Sequence, residues 1–227
     1  DVPFVVSLKI EGAITALNDE LLLDATGGGP YRLLAREGDV SPAGGNYSGG
    51  ISQTFGSRPV VQGGAVAFLA YVDGSNGCLF SETNTMAPLR TVACNNTPCP
   101  GLGGAVFGQI DTYPFSLNSA GNLAFRATLS GPGVTFGVND ESIWREGGGT
   151  LILIARKGEA AHGGGVYNIL PAPVINSAGW AAYTSFLQSG VAGTDFTNDT
   201  AIYLGQSQGT GLKIVREGDP VPNMPGV

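Results

Sequence analysis

The chain has 227 residues; 42% are hydrophobic, 13% are charged and 37 are glycine. That length suits one all-β domain or a run of small repeats, and the glycine load implies many tight turns between short strands. A net charge of −7, with 11 Lys and Arg scattered along the chain, argues against nucleic acid, and no apolar run approaches the roughly 20 residues of a membrane span.

In chain order, residues 6–16 carry a faint copy of a pattern that becomes clear later, with Gly12 at its centre. A second pattern opens at Leu33-Leu-Ala-Arg-Glu-Gly-Asp39 and contains Arg36, Gly38 and Asp39. Residues 60–72 repeat the first pattern around Gly64, without its Asn. Residues 91–100 repeat the second, with Cys94 in the Arg place and Asn96 in the Gly place. Asn is the next-best residue after Gly for a left-handed turn, so this exchange keeps the backbone path. The clearest copies of the first pattern are Asn118-Ser-Ala-Gly-Asn-Leu-Ala-Phe125 and Asn176-Ser-Ala-Gly-Trp-Ala-Ala-Tyr183, with Gly121 and Gly179. The second pattern returns as Arg156, Gly158 and Glu159, then as Arg216, Gly218 and Asp219. The four glycines of the first pattern set a period of roughly 52 to 58 residues, which the second pattern shares.

Each unit reads as four short strands. Asn-x-x-Gly is a hairpin turn, residues 123–129 alternate as a strand does, and residues 142–145 (or 201–204) and 151–156 supply two more. Four strands per unit of this length match the blade of a β-propeller, whereas solenoid rungs are shorter. The expected fold is therefore all-β and propeller-like, one domain over 1–227: half-blade 1–17, blades 18–73, 74–136 and 137–197, and half-blade 198–227. The halves are complementary, so strands near residues 4–16 are expected to pair with those near 201–216 and close a composite blade. The same strands completing a neighbouring chain, as a filament or shared ring, and a section of a longer array are the other readings.

Three cysteines lie in one short stretch: Cys78, Cys94 and Cys99. A zinc site needs four suitably spaced ligands, and the one histidine, His162, is distant in sequence, so a disulfide is the better reading. Cys78–Cys94 across a hairpin competes with Cys94–Cys99, and either leaves one thiol. Sequons at Asn46, Asn95 and Asn198 are glycosylation candidates in polar turns.

The chain resembles the secreted bacterial tandem-repeat proteins named for an Asn-x-x-Gly-x-x-Ala-Phe motif, of the choice-of-anchor type. Residues 118–125 match that motif in full, residues 176–183 differ by Tyr for Phe, and residues 60–68 lack the Asn. The resemblance implies an exported, repeat-built protein, secreted or on the cell surface. It carries over no catalytic residue.

The residues themselves supply little chemistry. His162 stands in a Gly-rich loop at the place of Pro42 and Pro222 and reads as a loop residue. Asp39, Glu159 and Asp219 recur at one repeat position; turn capping explains that recurrence better than a glycosidase pair. The recurring Arg36, Arg156 and Arg216 read as ion-pair or solvated positions. No cofactor is expected. Asn18-Asp-Glu20, Asn139-Asp-Glu141 and the run of Asp195, Asn198 and Asp199 offer oxygens to a calcium ion, but none has EF-hand spacing. The glycine runs 27–29, 147–149 and 163–165 lack the Lys of a phosphate loop and read as turns. The aromatic residues Phe68, Phe125, Trp144, Trp180 and Tyr183 are expected mostly in the core. The leading functional expectation is a non-enzymatic extracellular structural protein that self-associates by strand pairing into an oligomer or filament. A lectin-like propeller for glycan or protein ligands is the alternative, and a glycosidase-type hydrolase ranks last.

Overall fold

The computed structural model describes residues 2–8, 11–25, 30–48, 59–74, 76–83, 87–110 and 114–220, with residues 2–7 described through their strand pairing. The glycine run 27–29 and Pro222 lie outside these residues. The described chain is all-β, with no helix, and its strands form four antiparallel sheets in chain order. The first holds β1 (Val2–Ser7), β2 (Glu20–Ala25) and β3 (Arg32–Arg36). The second holds β4 (Val60–Gln62), β5 (Ala65–Val72), β6 (Asn76–Glu82) and β7 (Arg90–Cys94). The third is built from β8 (Val106–Phe107), β9 (Phe115–Leu117), β10 (Leu123–Ser130), β11 (Glu141–Gly147) and β12 (Thr150–Arg156). The fourth contains β13 (Tyr167–Ile169), β14 (Val174–Ile175), β15 (Ala181–Leu187), β16 (Thr200–Gly205) and β17 (Leu212–Arg216).

The sheets have three, four, five and five strands, so the uniform four-stranded unit is not what is observed. The composite sheet is not formed either. Among the described residues, β1 pairs with β2, from Val2 opposite Ala25 to Ser7 opposite Glu20, and β17 pairs with β16. The expected boundaries at 17/18, 73/74, 136/137 and 197/198 each fall in the turn between two paired strands of one sheet. Gly12 likewise lies between β1 and β2, not at the turn that holds Gly64, Gly121 and Gly179. The physical reason is that a tandem repeat fixes the period but not the phase; hydrogen-bonded pairing fixes the phase, and it starts each sheet half a unit away from the expected cut.

The repeat extends to an irregularity of the strand pairing. A register shift follows Leu22, Leu79, Ile143 and Ile202, the same place in every sheet. Such a bulge increases local twist, which lets sheets pack face to face without flattening.

Packing joins consecutive sheets through three apolar clusters. One holds residues of the first and second sheets, such as Leu22, Ala35, Val66 and Phe80. The next joins the second and third through Leu69, Leu79, Phe125 and Trp144. The last joins the third and fourth through Ile143, Ile154, Tyr183 and Tyr203. Strand β5 shows why this needs no separate core: Val66, Phe68 and Ala70 point to the first sheet, while Ala65, Ala67 and Leu69 point to the third. Both faces of the second sheet's β5 are buried, so that strand reads as a nearly continuous apolar run. The strands that run into the Gly64, Gly121 and Gly179 turns contact one another in the series β4, β9, β14, and β1 contacts β4.

Each junction also contains an aromatic triad: Tyr47, Phe68 and Phe80; Phe107, Phe125 and Trp144; Tyr167, Tyr183 and Tyr203. Centroid separations from 5.1 to 6.5 Å are in the range for tilted and edge-on ring packing. Trp144 is fully buried and its Nε1 donates to Ser142 Oγ at 2.8 Å. Replacing Trp144 with Ala should cost about 3–5 kcal/mol of unfolding free energy, as for other buried aromatics. Denaturant titration of the variant measures this; a loss under about 1 kcal/mol would mean the junction does not depend on its triad.

Candidate functional site

The recurring residues of the first pattern build turns. Asn118 Oδ1 accepts the N–H groups of Ala120 and Asn122 at 3.0 Å each, and Gly121 closes the turn at φ 78°. Asn176 does the same for Ala178 and Trp180, with Gly179 at φ 79°. Gly64, φ 85°, keeps the turn where the Asn is missing. Asn118 Nδ2 also donates to Asn176 O at 2.8 Å, tying the third sheet's turn to the fourth's.

The second pattern is a clamp. Arg36, Arg156 and Arg216 each donate from Nε to the carbonyl of an Asn 17 or 18 positions earlier: Asn18 (3.3 Å), Asn139 (2.9 Å) and Asn198 (2.5 Å). Each Asn side chain in turn holds its own loop. Asn18, Asn139 and Asn198 accept from the N–H of Thr15, Thr135 and Asp195, and donate to the carbonyls of Ala13, Gly133 and Gly193. The second unit replaces the whole device. Its β5 and β6 are joined by a short turn with no such Asn loop, and Cys94, in the Arg place, bonds Cys78 directly opposite it. Cys99 is free and buried. Gly38, Gly158 and Gly218 take φ from 81° to 86° after the arginines, and Asn96 takes 63° in their place.

The recurring acids sit on separate turns, after the first, third and fourth sheets, and do not form a pair. Asp219 caps the Arg216 N–H at 2.8 Å and accepts Lys213 Nζ. Glu159 accepts Gln208 Nε2 at 2.8 Å, and Asp39 is exposed. The Lys213 ammonium, with the Arg216 N–H, holds the Asp219 carboxyl below the ordinary carboxylate range. His162 Nε2 accepts the Gly211 N–H at 3.0 Å, joining its loop to the fourth sheet.

Within the oxygen-rich runs, two of the carboxylates are held by the protein itself. Asp195 accepts two bonds from Thr197, and Glu141 meets Arg126, Lys157 and the Leu170 N–H. Among the described residues no group of three or more His, Cys, Asp or Glu is arranged to hold a metal ion. Of the sequons, Asn95 is buried against the Ile110 N–H and Asn198 holds its loop, while Asn46 is exposed. Phe68, Phe125, Trp144 and Tyr183 are buried, and Trp180 is half-buried.

Sequence reasoning missed the inter-sheet ion pairs. Arg32 of β3 reaches Glu82 of the second sheet at 2.8 Å, and Arg90 of β7 reaches Glu146 of the third at 2.7 Å. Both glutamates are buried, so removing either arginine would leave a desolvated charge. The clamp role of Asn18, Asn139 and Asn198 was also missed, although their spacing of 17 or 18 positions ahead of the arginines was there to be read.

The remaining feature is a face. On the fourth sheet, Ile202, Leu212, Ile214 and Val215 are exposed and adjacent in register, beside a recess of about 360 Å³ lined by Thr200, Ala201, Ile202, Val215, Arg216 and Glu217. Nothing within the described chain covers them.

Burial pushes the Cys99 thiol up to about 12. It should therefore stay unreactive toward a thiol reagent at pH 8 in the folded protein and react on unfolding; fast labelling of the native protein would contradict its burial. Opening the Cys78–Cys94 bond by a double Cys→Ser exchange should cost about 3 kcal/mol, the figure for a loop of this length, read by thermal or denaturant unfolding.

Among the described residues no helix is long and apolar enough to cross a membrane. No curated protein matches the sequence. The family described as a family of unknown function, DUF7453, matches residues 1–227, and the chain belongs to it.

Proposed function

We propose that the protein is a non-enzymatic structural protein of the cell exterior, a propeller-like stack of sheets that self-associates through an uncovered sheet face. The observation that carries this reading is the exposed apolar row Ile202, Leu212, Ile214 and Val215 on the last sheet. A contiguous apolar patch on a folded surface marks an interaction site. The contact series β4, β9 and β14, one equivalent strand from each of three sheets, supports a blade-like arrangement about a common side. The disulfide fits an oxidising, extracellular setting. Face stacking replaces strand pairing as the mode of association, because the uncovered groups are side chains on a sheet face.

A second reading rests on the loop tips. Phe136 and Phe196 project from loops at equivalent places and are almost fully exposed. Rings presented this way suit stacking on a sugar face, as in a lectin. Loss of glycan retention in a Phe136→Ala, Phe196→Ala variant would favour it; silence of the unaltered protein across a glycan array would remove it.

The structural reading is tested by light scattering. The unaltered protein should exceed the monomer mass at tens of micromolar, and Ile214→Glu should return it to monomer with an unchanged far-ultraviolet spectrum. A monomer at all concentrations contradicts the reading.

A further inference from the structure

We infer that Lys157 and Asp140 are joined by an intramolecular isopeptide bond, formed by the folded chain itself with Glu141 as proton carrier. The residue just after each sheet's last strand keeps one backbone place: the N–H groups of Glu37, Asn95, Lys157 and Glu217 donate to the carbonyls of Glu20, Gly77, Glu141 and Thr200. Only the third sheet puts an amine there; the first and fourth put a glutamate and the second an asparagine. The amine of Lys157 lies beside Asp140, which follows the clamp residue Asn139, and beside Glu141, which opens β11.

The three side chains are largely withdrawn from water, with 13% of Lys157, 11% of Asp140 and 15% of Glu141 exposed. Lys157 Nζ lies 3.9 Å from Asp140 Oδ1 and 3.5 Å from Glu141 Oε1. Both separations exceed the roughly 2.7–2.9 Å of a charge-assisted hydrogen bond. Asp140 Oδ1 is buried and has no hydrogen-bond partner. As an ion pair the arrangement is poor: two charges are desolvated and one carboxylate oxygen is left unmet, which is costly. As the reactants of a condensation the same groups are well placed. An amide removes both charges and the unmet oxygen together.

Each atom that the step needs has a group beside it. Arg126 Nη2 at 2.9 Å and the Leu170 N–H at 3.2 Å hold Glu141 by Oε2, with Oε1 on the side of the amine. Glu141 takes a proton from Nζ, and the amine attacks Asp140 Cγ. Negative charge then gathers on Oδ2, which already accepts the Gly137 N–H at 2.9 Å, as an oxyanion donor requires. Glu141 takes a second proton from Nζ, hands both to Oδ1, and the Cγ–Oδ1 bond breaks. The ammonium loses two protons and the carboxylate one oxygen, so the products are one amide and one water. No oxidant, reductant or further reactant enters. Holding the reactants side by side supplies the rate that a free amine and carboxylate lack in water.

The bond ties the end of β12 to the loop that Asn139 gathers. The Cys78–Cys94 bond does the same work in the second sheet, where β7 ends. The link stands whether or not the protein self-associates.

The test is the intact mass of the unaltered full chain, denatured and with its disulfide reduced. The mass should lie about 18 Da, one water, below that of the sequence. Trypsin should fail to cut after Lys157, and tandem mass spectrometry should find a branched peptide joining Asp140 to Lys157. Lys157→Arg and Asp140→Ala should each show the full mass of their own sequences. Glu141→Gln should leave fewer than about one chain in ten linked, the scale of losing a proton carrier. The full sequence mass in the unaltered protein overturns the inference. A mass loss with Lys157 still cut by trypsin marks a cyclised aspartyl residue and overturns it too. A branch at Glu141 overturns Asp140 as the partner, and undiminished linkage in Glu141→Gln removes Glu141 from the step.

Discussion

A sheet whose two faces are both apolar cannot stand alone in water, and this constraint organises the whole molecule. Burial of apolar area is the dominant favourable term in folding, and here it is obtained between sheets, not inside any one of them. Val66 and Ala67, neighbours in sequence, belong to different cores because the strand alternation sends them to opposite faces. A middle sheet thus needs both neighbours, and stability is shared across junctions as in other repeat proteins. The same constraint makes the outer face of the fourth sheet informative, since its apolar residues lack cover among the described residues.

The loops follow a second economy of design. Where the turn ahead of a sheet's next-to-last strand is long, an Asn gathers the loop and an Arg from the last strand grips the Asn carbonyl. Where that turn is short, as between β5 and β6, the Asn is absent and a disulfide stands in the Arg position. The two devices do one job: they fix the end of the last strand against the start of the strand beside it. Their exchange within a single chain argues that Arg36, Arg156 and Arg216 recur for structural reasons. The turn acids, each bonded locally or exposed, fit the same account.

The all-β class, the period, the left-handed turn at Asn96 and the Cys78–Cys94 hairpin were legible in the sequence, because local turn chemistry writes them directly into residue choice. The phase was not legible. A cut at any point of a periodic sequence gives equally similar units, and the Gly12 stretch imitates the true turn glycine although it lies between β1 and β2. The inter-sheet pairs Arg32–Glu82 and Arg90–Glu146 were hidden for another reason: about fifty residues separate the partners, and only the stacking brings them together. The exposed face was invisible because Ile202 and Ile214 are, as residues, no different from their buried counterparts. What distinguishes them is position in the series.

The central claim is that the fourth sheet carries a junction face that nothing among the described residues covers. Residue-resolved solvent labelling, by hydroxyl-radical oxidation read by mass spectrometry, compares Ile202 and Ile214 with Ile143 and Ile154 across a dilution series. The account predicts that the second pair stays protected throughout, while the first pair becomes labelled as the protein is diluted to monomers. Equal protection of all four isoleucines in a proven monomer would contradict it.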